Sequence, residues 1–226
     1  MSGEEAVEGG APVRVVLADD EHLVRTALRA VLGAEPGIEV VGEATDGSEA
    51  LTLVAQLRPD VVLMDVRMPA VDGIRATERI LATAGEAAPR ILVLTTFEND
   101  SYVYDALRAG ARGFLLKRTT TAELLAALRL VAHGDSLLFP EKVRALAARH
   151  APAGAPGPLT ARLTEREGEV LRLLARGMTN AEIAEATGTG RATAKSHVAA
   201  VLGKLGARDR TQAVILAYEH GFVRPG

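Results

Sequence analysis

The side chains best suited to chemistry are carboxylates that follow short apolar runs. Asp19 and Asp20 end the run VRVVLADD, and Asp65 ends DVVLMD. Crowded carboxylates repel one another, and a hard divalent cation with oxygen ligands relieves that repulsion best. If the two runs form neighbouring strands of one sheet, the three aspartates converge on a Mg²⁺ site.

Two more apolar runs end in groups that suit phosphoryl transfer. Thr95 ends the run RILVLTT and Lys117 ends GFLLK. A carboxylate beside Mg²⁺, a lysine and a hydroxyl is placed to accept a phosphoryl group, because the cations neutralise the transferring oxygens. We expect Asp65 to be the nucleophile. Each residue alone also fits an ordinary role, so the hypothesis depends on the whole set standing at strand ends.

The elements that must position these residues alternate in type along the chain. Five apolar runs separated by amphipathic helical patterns predict an α/β doubly wound five-stranded parallel sheet. Ligands bind such sheets outside the carboxyl ends of the strands, which is where the candidate residues stand. The first helical pattern predicts one apolar face made of Leu23, Val24, Ala27, Leu28, Val31 and Leu32.

A second domain follows a break in the pattern. Residues 150–158, HAPAGAPGP, hold three prolines and two glycines, which neither helix nor strand tolerates. After this segment the strand signal ends and capping-box spacings predict a small all-α unit. We expect a first domain at 12–133, a linker helix and Pro/Gly/Ala-rich linker at 134–159, and a helical domain at 160–224.

Charge divides along the same boundary. Residues 160–226 hold ten Lys and Arg against seven Asp and Glu, and the rest of the chain holds 16 against 22. The halves therefore carry charges of +3 and −6, which fits a cation-binding unit joined to one that meets a polyanion. The absence of cysteine excludes thiolate chemistry, and the short apolar runs predict a cytoplasmic protein without a membrane segment.

The first domain resembles the receiver domain of response regulators. The matching positions are Asp19, Asp20, Asp65, Asp72, Gly73, Thr95, Lys117 and Phe114, the last at the aromatic switch position of the family. The resemblance implies Mg²⁺-dependent phosphorylation of Asp65 by a cognate histidine kinase. It also implies that the backbone carbonyl of Arg67 completes a metal site formed by Asp19, Asp20 and Asp65. The chain departs from the family at Arg118, where proline usually follows the lysine.

The second domain is similar to the LuxR-type helix-turn-helix output domain, which together with a receiver defines the NarL/FixJ class. A recognition helix is predicted at Arg191–Leu205, and a helix of this kind fits the major groove of double-stranded DNA. Candidate contacts to base edges are Lys195, Ser196 and Ala199. Candidate contacts to DNA phosphates are Asn180, Arg191, Thr193, Arg210 and Thr211.

The turn before this helix departs most from the family pattern. Thr187, Thr189 and Gly190 stand where two apolar residues and a serine cap are usual. A helix cap contributes about 1 kcal/mol, although glycine recovers much of it. We expect Thr189 to supply a substitute cap.

Three alternatives remain beside the main hypothesis. Haloacid-dehalogenase-type phosphatases also use a strand-end aspartate, but they place an acid/base aspartate two residues later, where this chain has Arg67; we expect no enzyme. A receiver-controlled RNA-binding regulator and a phosphorylation-independent DNA-binding dimer stay open. The preferred interpretation is a transcriptional response regulator of a two-component system. Phosphorylation of Asp65 would promote a homodimer that binds promoter DNA.

Overall fold

The computed structural model describes residues 11–96, 100–134, 137–150 and 162–223. The first domain contains a five-stranded, wholly parallel sheet in the order β2-β1-β3-β4-β5. The strands are β1 (Val13–Ala18), β2 (Ile38–Ala44), β3 (Val61–Asp65), β4 (Arg90–Thr95) and β5 (Gly113–Leu116). Each strand coincides with one of the five apolar runs, so the predicted doubly wound fold is confirmed.

Helices cover both faces of this sheet. They are α1 (His22–Gly33), α2 (Gly47–Leu57), α3 (Gly73–Ala84), α4 (Asp100–Ala109) and α5 (Thr121–His133). Successive strand residues point to opposite faces, so Leu17 and Leu63 join the core under α1 and α5. Val62 and Met64 join the core under α2, α3 and α4. Burial on both faces explains why the strands read as continuous apolar runs.

Helix α1 differs from its predicted packing. Leu32 is fully buried, but Leu23 is 81% exposed and Arg25 is only 8% exposed. Leu23 lies in the first turn of the helix. The buried guanidinium of Arg25 donates a hydrogen bond to the backbone carbonyl of Asp19, which compensates part of its desolvation. The apolar face predicted from periodicity is therefore wrong at Leu23 and at Ala27, which is also exposed.

The loop between β3 and α3 closes tightly on the end of the sheet. A Cβ atom at Gly73 would lie 1.9 Å from the backbone oxygen of Asp65. The amide of Gly73 donates to the carbonyl of Val66 at 3.0 Å, and Asp72 caps α3 through the amide of Arg75 at 2.8 Å. Glycine is required here because the backbone of α3 comes so close to β3.

A further helix leads to the second domain. The predicted helix after α5 is observed as α6 (Pro140–His150), and four short helices follow: α7 (Glu165–Ala175), α8 (Asn180–Ala186), α9 (Arg191–Leu205) and α10 (Arg210–Glu219). Their shared core includes Leu171, Leu174, Ile183, Val198 and Val201. The span of the predicted recognition helix is confirmed. Across the described ranges, no helix has the length and apolarity needed to cross a bilayer.

The substitute cap expected from Thr189 is not formed. Helix α9 begins after Gly190, which makes no side-chain cap hydrogen bond. The hydroxyl of Thr187 donates to the carbonyl of Ile183 at 2.6 Å, and its oxygen lies 2.9 Å from the hydroxyl of Thr189. Because Thr187 has used its only proton, Thr189 donates to it. The hydroxyl groups of both threonines are therefore hydrogen-bonded within the turn, and α9 begins after a glycine that provides no side-chain cap.

The capping box of α7 generates a prediction about acid stability. The Glu167 carboxylate accepts a hydrogen bond from the ammonium of Lys204 at 2.6 Å and from the amide of Thr164 at 2.7 Å. These bonds, that of Lys204 first, lower the pKa of Glu167 from 4.5 to about 2. A depressed carboxyl pKa stabilises the fold above pH 4.5, and this contribution disappears as the pH falls towards 2.

We expect Glu167→Gln to lower the melting temperature of the second domain at pH 7 and to lower it less at pH 3. Calorimetry of the full-length chain across this pH range makes the measurement. Glu165→Gln is the control, since Glu165 is exposed in the same helical turn. An equal loss from Glu167→Gln at both pH values would contradict the assigned role of the charge.

Candidate functional site

The three candidate aspartates meet at the carboxyl edge of the sheet. One carboxylate oxygen from each of Asp19, Asp20 and Asp65 lies within 4.8 Å of the other two. The reason is topological, because β1 pairs with β3 and their ends are adjacent. The strand order also reverses at this pair, and ligands bind open α/β sheets at such a switch point. Asp19 and Asp65 are buried, whereas Asp20 is exposed.

Lys117 follows β5 and joins the same cluster. Its ammonium nitrogen lies 2.7 Å from Asp19 Oδ2, 2.9 Å from Asp65 Oδ2 and 3.1 Å from Glu21 Oε1. Burial alone would lower the pKa of Lys117, but the hydrogen bonds to the two aspartates outweigh burial and raise it. The lysine therefore stays charged at neutral pH and stands directly beside the candidate nucleophile.

Opposing effects act on the Asp65 carboxyl group. Burial raises its pKa, the ammonium of Lys117 lowers it, and burial prevails. The backbone amide of Arg67 lies 3.4 Å from Oδ1, while Lys117 holds Oδ2. Both carboxylate oxygens are thus oriented by the protein, which prepares the side chain for attack on an incoming group.

The donor set fits Mg²⁺. The carboxylates of Asp19, Asp65 and Glu21 contact one ammonium group and Asp20 adds a fourth carboxylate, so the cluster has an excess of negative charge. Magnesium prefers hard oxygen ligands and is usually held by one or two carboxylates together with water and substrate oxygens. The residues present therefore match the chemistry of a magnesium site, with Arg67 on the same loop two positions after Asp65.

Thr95 and Phe114 occupy the neighbouring positions that the sequence predicts. Thr95 ends β4 and is 3% exposed, and its backbone carbonyl accepts a hydrogen bond from the amide of Lys117 at 2.8 Å. Phe114 is buried in the core on the α4 side of the sheet. It borders a cavity of about 390 Å³ that Leu146 of α6 also lines. Space for a movement of this ring therefore exists beside α6.

A wider cleft opens next to the acidic cluster. It measures about 940 Å³ and is lined by Asp20, Arg67 and Tyr102, among others from the β3–α3 loop, α3 and α4. Side chains of both charges border it, including Arg75 and Asp105. The exposed Asp20 carboxylate therefore faces a space large enough for a phosphodonor to approach.

The predicted recognition helix presents the expected face. Ala194, Val198 and Val201 of α9 are buried in the second-domain core. The opposite face consists of exposed side chains, namely Ala192, Thr193, Lys195, Ser196, Ala199 and Ala200. Arg191 at the start of the helix is also exposed. A cationic side chain among small neighbours allows close approach to a DNA groove.

Three of the predicted phosphate contacts, Asn180, Arg210 and Thr211, are hydrogen-bonded within the protein. Arg210 is 4% exposed and Thr211 is 1% exposed. The guanidinium of Arg210 donates to the Met178 carbonyl at 3.0 Å and to Asn180 Oδ1 at 2.8 Å, and the Thr211 hydroxyl donates to the Arg112 carbonyl at 3.0 Å. Arg210 and Thr211 are therefore not surface residues in this arrangement: Arg210 is held within the helical domain by Met178 and Asn180, whereas Thr211 is covered by the first domain.

We call this covering surface the interdomain contact; it is formed by α4, α6 and the residues before β5 against α10. Arg112 Nε lies 3.3 Å from Asp209 Oδ2. The Tyr104 hydroxyl donates to Glu219 Oε1 at 2.6 Å, and Arg108 Nε is 3.2 Å from the same oxygen. The apolar part of the contact comes from Val214, Ile215 and Tyr218 of α10, which join the core of the first domain.

Sequence reasoning missed Tyr104, Arg112 and Glu219, which carry the polar part of the interdomain contact. Charged and aromatic residues on helices and loops look like ordinary surface residues in a sequence. A weak signal was present in α10, since Val214, Ile215 and Tyr218 add apolar surface beyond what a small helical domain buries internally. Arg25 was missed for the same reason, because a basic residue on an amphipathic helix is read as exposed.

Together, the aspartate cluster, the sheet topology and the helical domain define the class of protein. The chain belongs to the response regulators: residues 15–129 match the family model for the response regulator receiver domain. Residues 161–217 match the model for bacterial regulatory proteins of the luxR family. It is thus a DNA-binding transcriptional response regulator of a two-component system, with a receiver and a LuxR-type output domain.

Particular relatives span the whole chain. The transcriptional regulatory protein LiaR of Bacillus subtilis is 41% identical over 211 residues, covering 93% of this chain and 99% of that protein. The uncharacterized transcriptional regulatory protein YxjL of the same organism is 40% identical over 220 residues, covering 94% and 98%.

Solved structures agree with this assignment. The response regulator ChrA of a heme-sensing two-component system is 36% identical, with a TM-score of 0.51 over 94% of this chain and 100% of that chain. The RcsB response regulator of Salmonella typhimurium is 27% identical, with a TM-score of 0.53 over 91% and 97%.

The interdomain contact generates a prediction about the receiver and output domains. Replacing Arg112 by Met removes a cation that pairs with the buried Asp209 carboxylate, which keeps its hydrogen bond from the amide of Gln212, so the cost stays below the roughly 3–5 kcal/mol of a fully unpaired buried charge. Separation of the domains relieves this cost, so we expect the unphosphorylated variant to be more extended. It should also bind DNA at least about tenfold more tightly, a step of about 1.4 kcal/mol.

Small-angle X-ray scattering gives the radius of gyration, and fluorescence anisotropy on DNA selected from a random pool gives the affinity. Arg79→Met is the control, because Arg79 is exposed on α3. Unchanged size and affinity in the Arg112 variant would show that this contact does not restrain the output domain.

Proposed function

We propose that a cognate histidine kinase phosphorylates Asp65 in a Mg²⁺-dependent reaction, and that this promotes homodimerisation and binding to double-stranded promoter DNA. The observation that carries the proposal is the position of Asp65. Its carboxylate lies 2.9 Å from the ammonium of Lys117 and within 4.8 Å of oxygens from both other aspartates. No other arrangement in the described residues combines a buried carboxylate nucleophile with this charge environment.

Each residue at the site has a distinct role in the transfer. Asp19, Asp20, Asp65 and the backbone carbonyl of Arg67 would hold Mg²⁺, which when bound neutralises charge on the transferring oxygens. One oxygen of Asp65 forms the new bond to phosphorus while the bond from phosphorus to the kinase histidine breaks. Lys117 then moves part of its contact from the carboxylate to a phosphoryl oxygen, which its charge and its short distance from Asp65 permit.

The phosphoryl group changes the local charge. It adds up to about two negative charges at neutral pH, and the Thr95 hydroxyl at the end of β4 can donate a hydrogen bond to it. Movement of this threonine would vacate space for the ring of Phe114, which lies two residues before Leu116, the residue of β5 that pairs with Thr95. Helix α4 packs against β5, which holds Phe114, and its Tyr104 donates to Glu219 of α10. Phe114 also borders α6 across the cavity, so both α4 and α6 connect the switch to the interdomain contact.

The output domain binds DNA in two sets of contacts. Lys195, Ser196 and Ala199 would meet base edges, and Arg191 and Thr193 would meet phosphates at the start of α9. These five residues are exposed in the present arrangement.

Of the remaining phosphate contacts, that of Thr211 depends on the domains separating, because its hydroxyl is bonded to the first domain. Arg210 would have to release the Met178 carbonyl and Asn180 within the helical domain before it could reach DNA. Asn180 Oδ1 accepts from Arg210, which leaves the amide NH₂ of Asn180 to donate to a phosphate. Separation therefore enlarges the DNA-binding surface.

We also propose that the protein acts in the cytoplasm and performs no turnover catalysis of its own. Promoter DNA and the phosphodonor part of the kinase must both be accessible to it. The position two residues after Asp65, where a phosphatase of similar fold holds its proton-transfer acid, is occupied by Arg67. An arginine stays protonated and cannot act as that general acid and base.

Asp65→Asn tests the assignment of the phosphoacceptor. The amide is a much weaker nucleophile than a carboxylate, so we expect no stable labelling by a radiolabelled small-molecule phosphodonor. Wild-type labelling should require Mg²⁺ and disappear with a chelator. Asp60→Asn is the matched control, because Asp60 precedes the same strand at its opposite end. Full labelling of the Asp65 variant would show that another residue is the phosphoacceptor.

Thr95→Ala tests the switch. This variant should still accept the phosphoryl group, because Asp65, Lys117 and the metal ligands are intact, but it should not gain dimer affinity. Dimerisation makes the second DNA contact effectively intramolecular, which raises wild-type affinity for a two-half-site duplex by roughly 10²–10⁴. Sedimentation velocity and anisotropy at fixed salt measure both quantities, with structured RNA as a competitor. Normal phosphate-driven dimerisation of the Thr95 variant would show that Thr95 takes no part in the switch.

A further inference from the structure

We propose that Arg25 is a positioning residue for the metal site, although it does not belong to the acidic cluster. Its guanidinium holds the peptide group between Asp19 and Asp20 in the orientation that presents both carboxylates to one cation. This inference rests on the proposed Mg²⁺ function.

The contact with the backbone is direct and buried. Arg25 Nη1 donates to the carbonyl oxygen of Asp19 at 2.7 Å, and the residue is 8% exposed. The amide of Asp19 donates in turn to the carbonyl of Ala44 at 3.1 Å. The peptide groups on both sides of Asp19 are therefore fixed, one by β2 and the other by Arg25. Asp20 is attached to the second of these peptide groups.

The guanidinium also forms an ion pair outside the site, at a distance too long for a hydrogen bond. Arg25 Nε lies 3.6 Å from Glu43 Oε2 on β2, and the second oxygen of Glu43 lies 3.1 Å from Arg29 Nη1. Arginine presents its donors in a rigid planar fork, whereas lysine offers one flexible ammonium group. The fork lets a single side chain on α1 connect the strand β2 with the turn that follows β1.

Electrostatics alone would argue against an arginine at this place. A fixed positive charge close to the metal ligands repels an incoming cation. If Arg25 acted through its charge, its removal would therefore tighten Mg²⁺ binding. If it acts by positioning, its removal lets the Asp19–Asp20 turn move and weakens binding. The two explanations predict changes of opposite sign.

The expected size follows from outer-shell groups in metal sites. Loss of a residue that orients a metal ligand commonly weakens metal affinity by roughly 10–100-fold. Arg25→Met should therefore bind Mg²⁺ at least about tenfold more weakly than the wild type. Arg25→Lys retains the charge but lacks the fork, so it should recover only part of the affinity.

Arg29→Met is the matched control. Arg29 lies one turn later on α1 and contacts the same glutamate, but its side chain is 61% exposed and it donates to Glu43 rather than to the Asp19 backbone. Its removal should change Mg²⁺ affinity by less than about twofold, in keeping with the small energies of exposed ion pairs.

The measurement is a Mg²⁺ titration of the ¹⁵N-labelled full-length chain without phosphodonor, followed through the amide resonances of the Asp19–Asp20 turn. Melting temperatures in chelator show that each variant is folded; if Arg25→Met does not fold, Arg25→Lys carries the test. Partial recovery in Arg25→Lys, together with a weaker Arg25→Met, supports the positioning role.

Two results would overturn the inference. One is tighter binding by Arg25→Met with wild-type affinity in Arg25→Lys, which would show that only the charge matters. The other is equal affinity of the Arg25 and Arg29 variants. Failure of the proposed function looks different, because then the wild type itself gives no Mg²⁺-dependent shifts and Asp20→Asn changes nothing.

Discussion

The ion pairs of Lys117 with Asp19 and Asp65 are the interaction on which the receiver site depends. Neighbouring strands of a sheet lie about 4.8 Å apart, and Lys117 follows β5, so its side chain must pass the end of β4 to reach Asp65 on β3 and Asp19 on β1. Because Lys117 follows β5 and contacts aspartates at the ends of β1 and β3, it holds these three strand ends together. Any group that enters the cluster must compete with this ammonium for the same oxygens.

The hydrophobic core adds a second constraint. Residues from α6 and α10 share one continuous apolar cluster with the α4 side of the sheet. The polar contacts of Arg112 with Asp209 and of Tyr104 with Glu219 lie at the border of that cluster. The cluster contributes most of the attraction, since burial of apolar surface is the dominant favourable contribution in most protein association. The polar pairs determine which face of α10 is held.

Local pattern was enough to predict several parts of the molecule. Strands buried on both faces read as apolar runs, and each aspartate could be assigned to a strand end by counting residues. The bounds of α9 followed from a 3.6-residue period.

Packing between distant segments was beyond such reasoning. Nothing local distinguishes Arg25 from an exposed arginine, or Thr211 from an exposed phosphate contact, until a specific acceptor is brought near. The missing Thr189 cap has a local cause instead, because the neighbouring hydroxyl of Thr187 accepts the proton of Thr189.

The shared apolar cluster also limits how such proteins can diversify by recombination. An output domain moved onto another receiver would carry Val214, Ile215 and Tyr218 to a surface that was not shaped to receive them. Gene fusions that exchange only the helical domain would therefore expose an apolar patch, whereas exchanges that include α6 and the matching face of α4 would keep it covered. In this chain the two domains share one core, so neither domain can be exchanged alone without loss of that core.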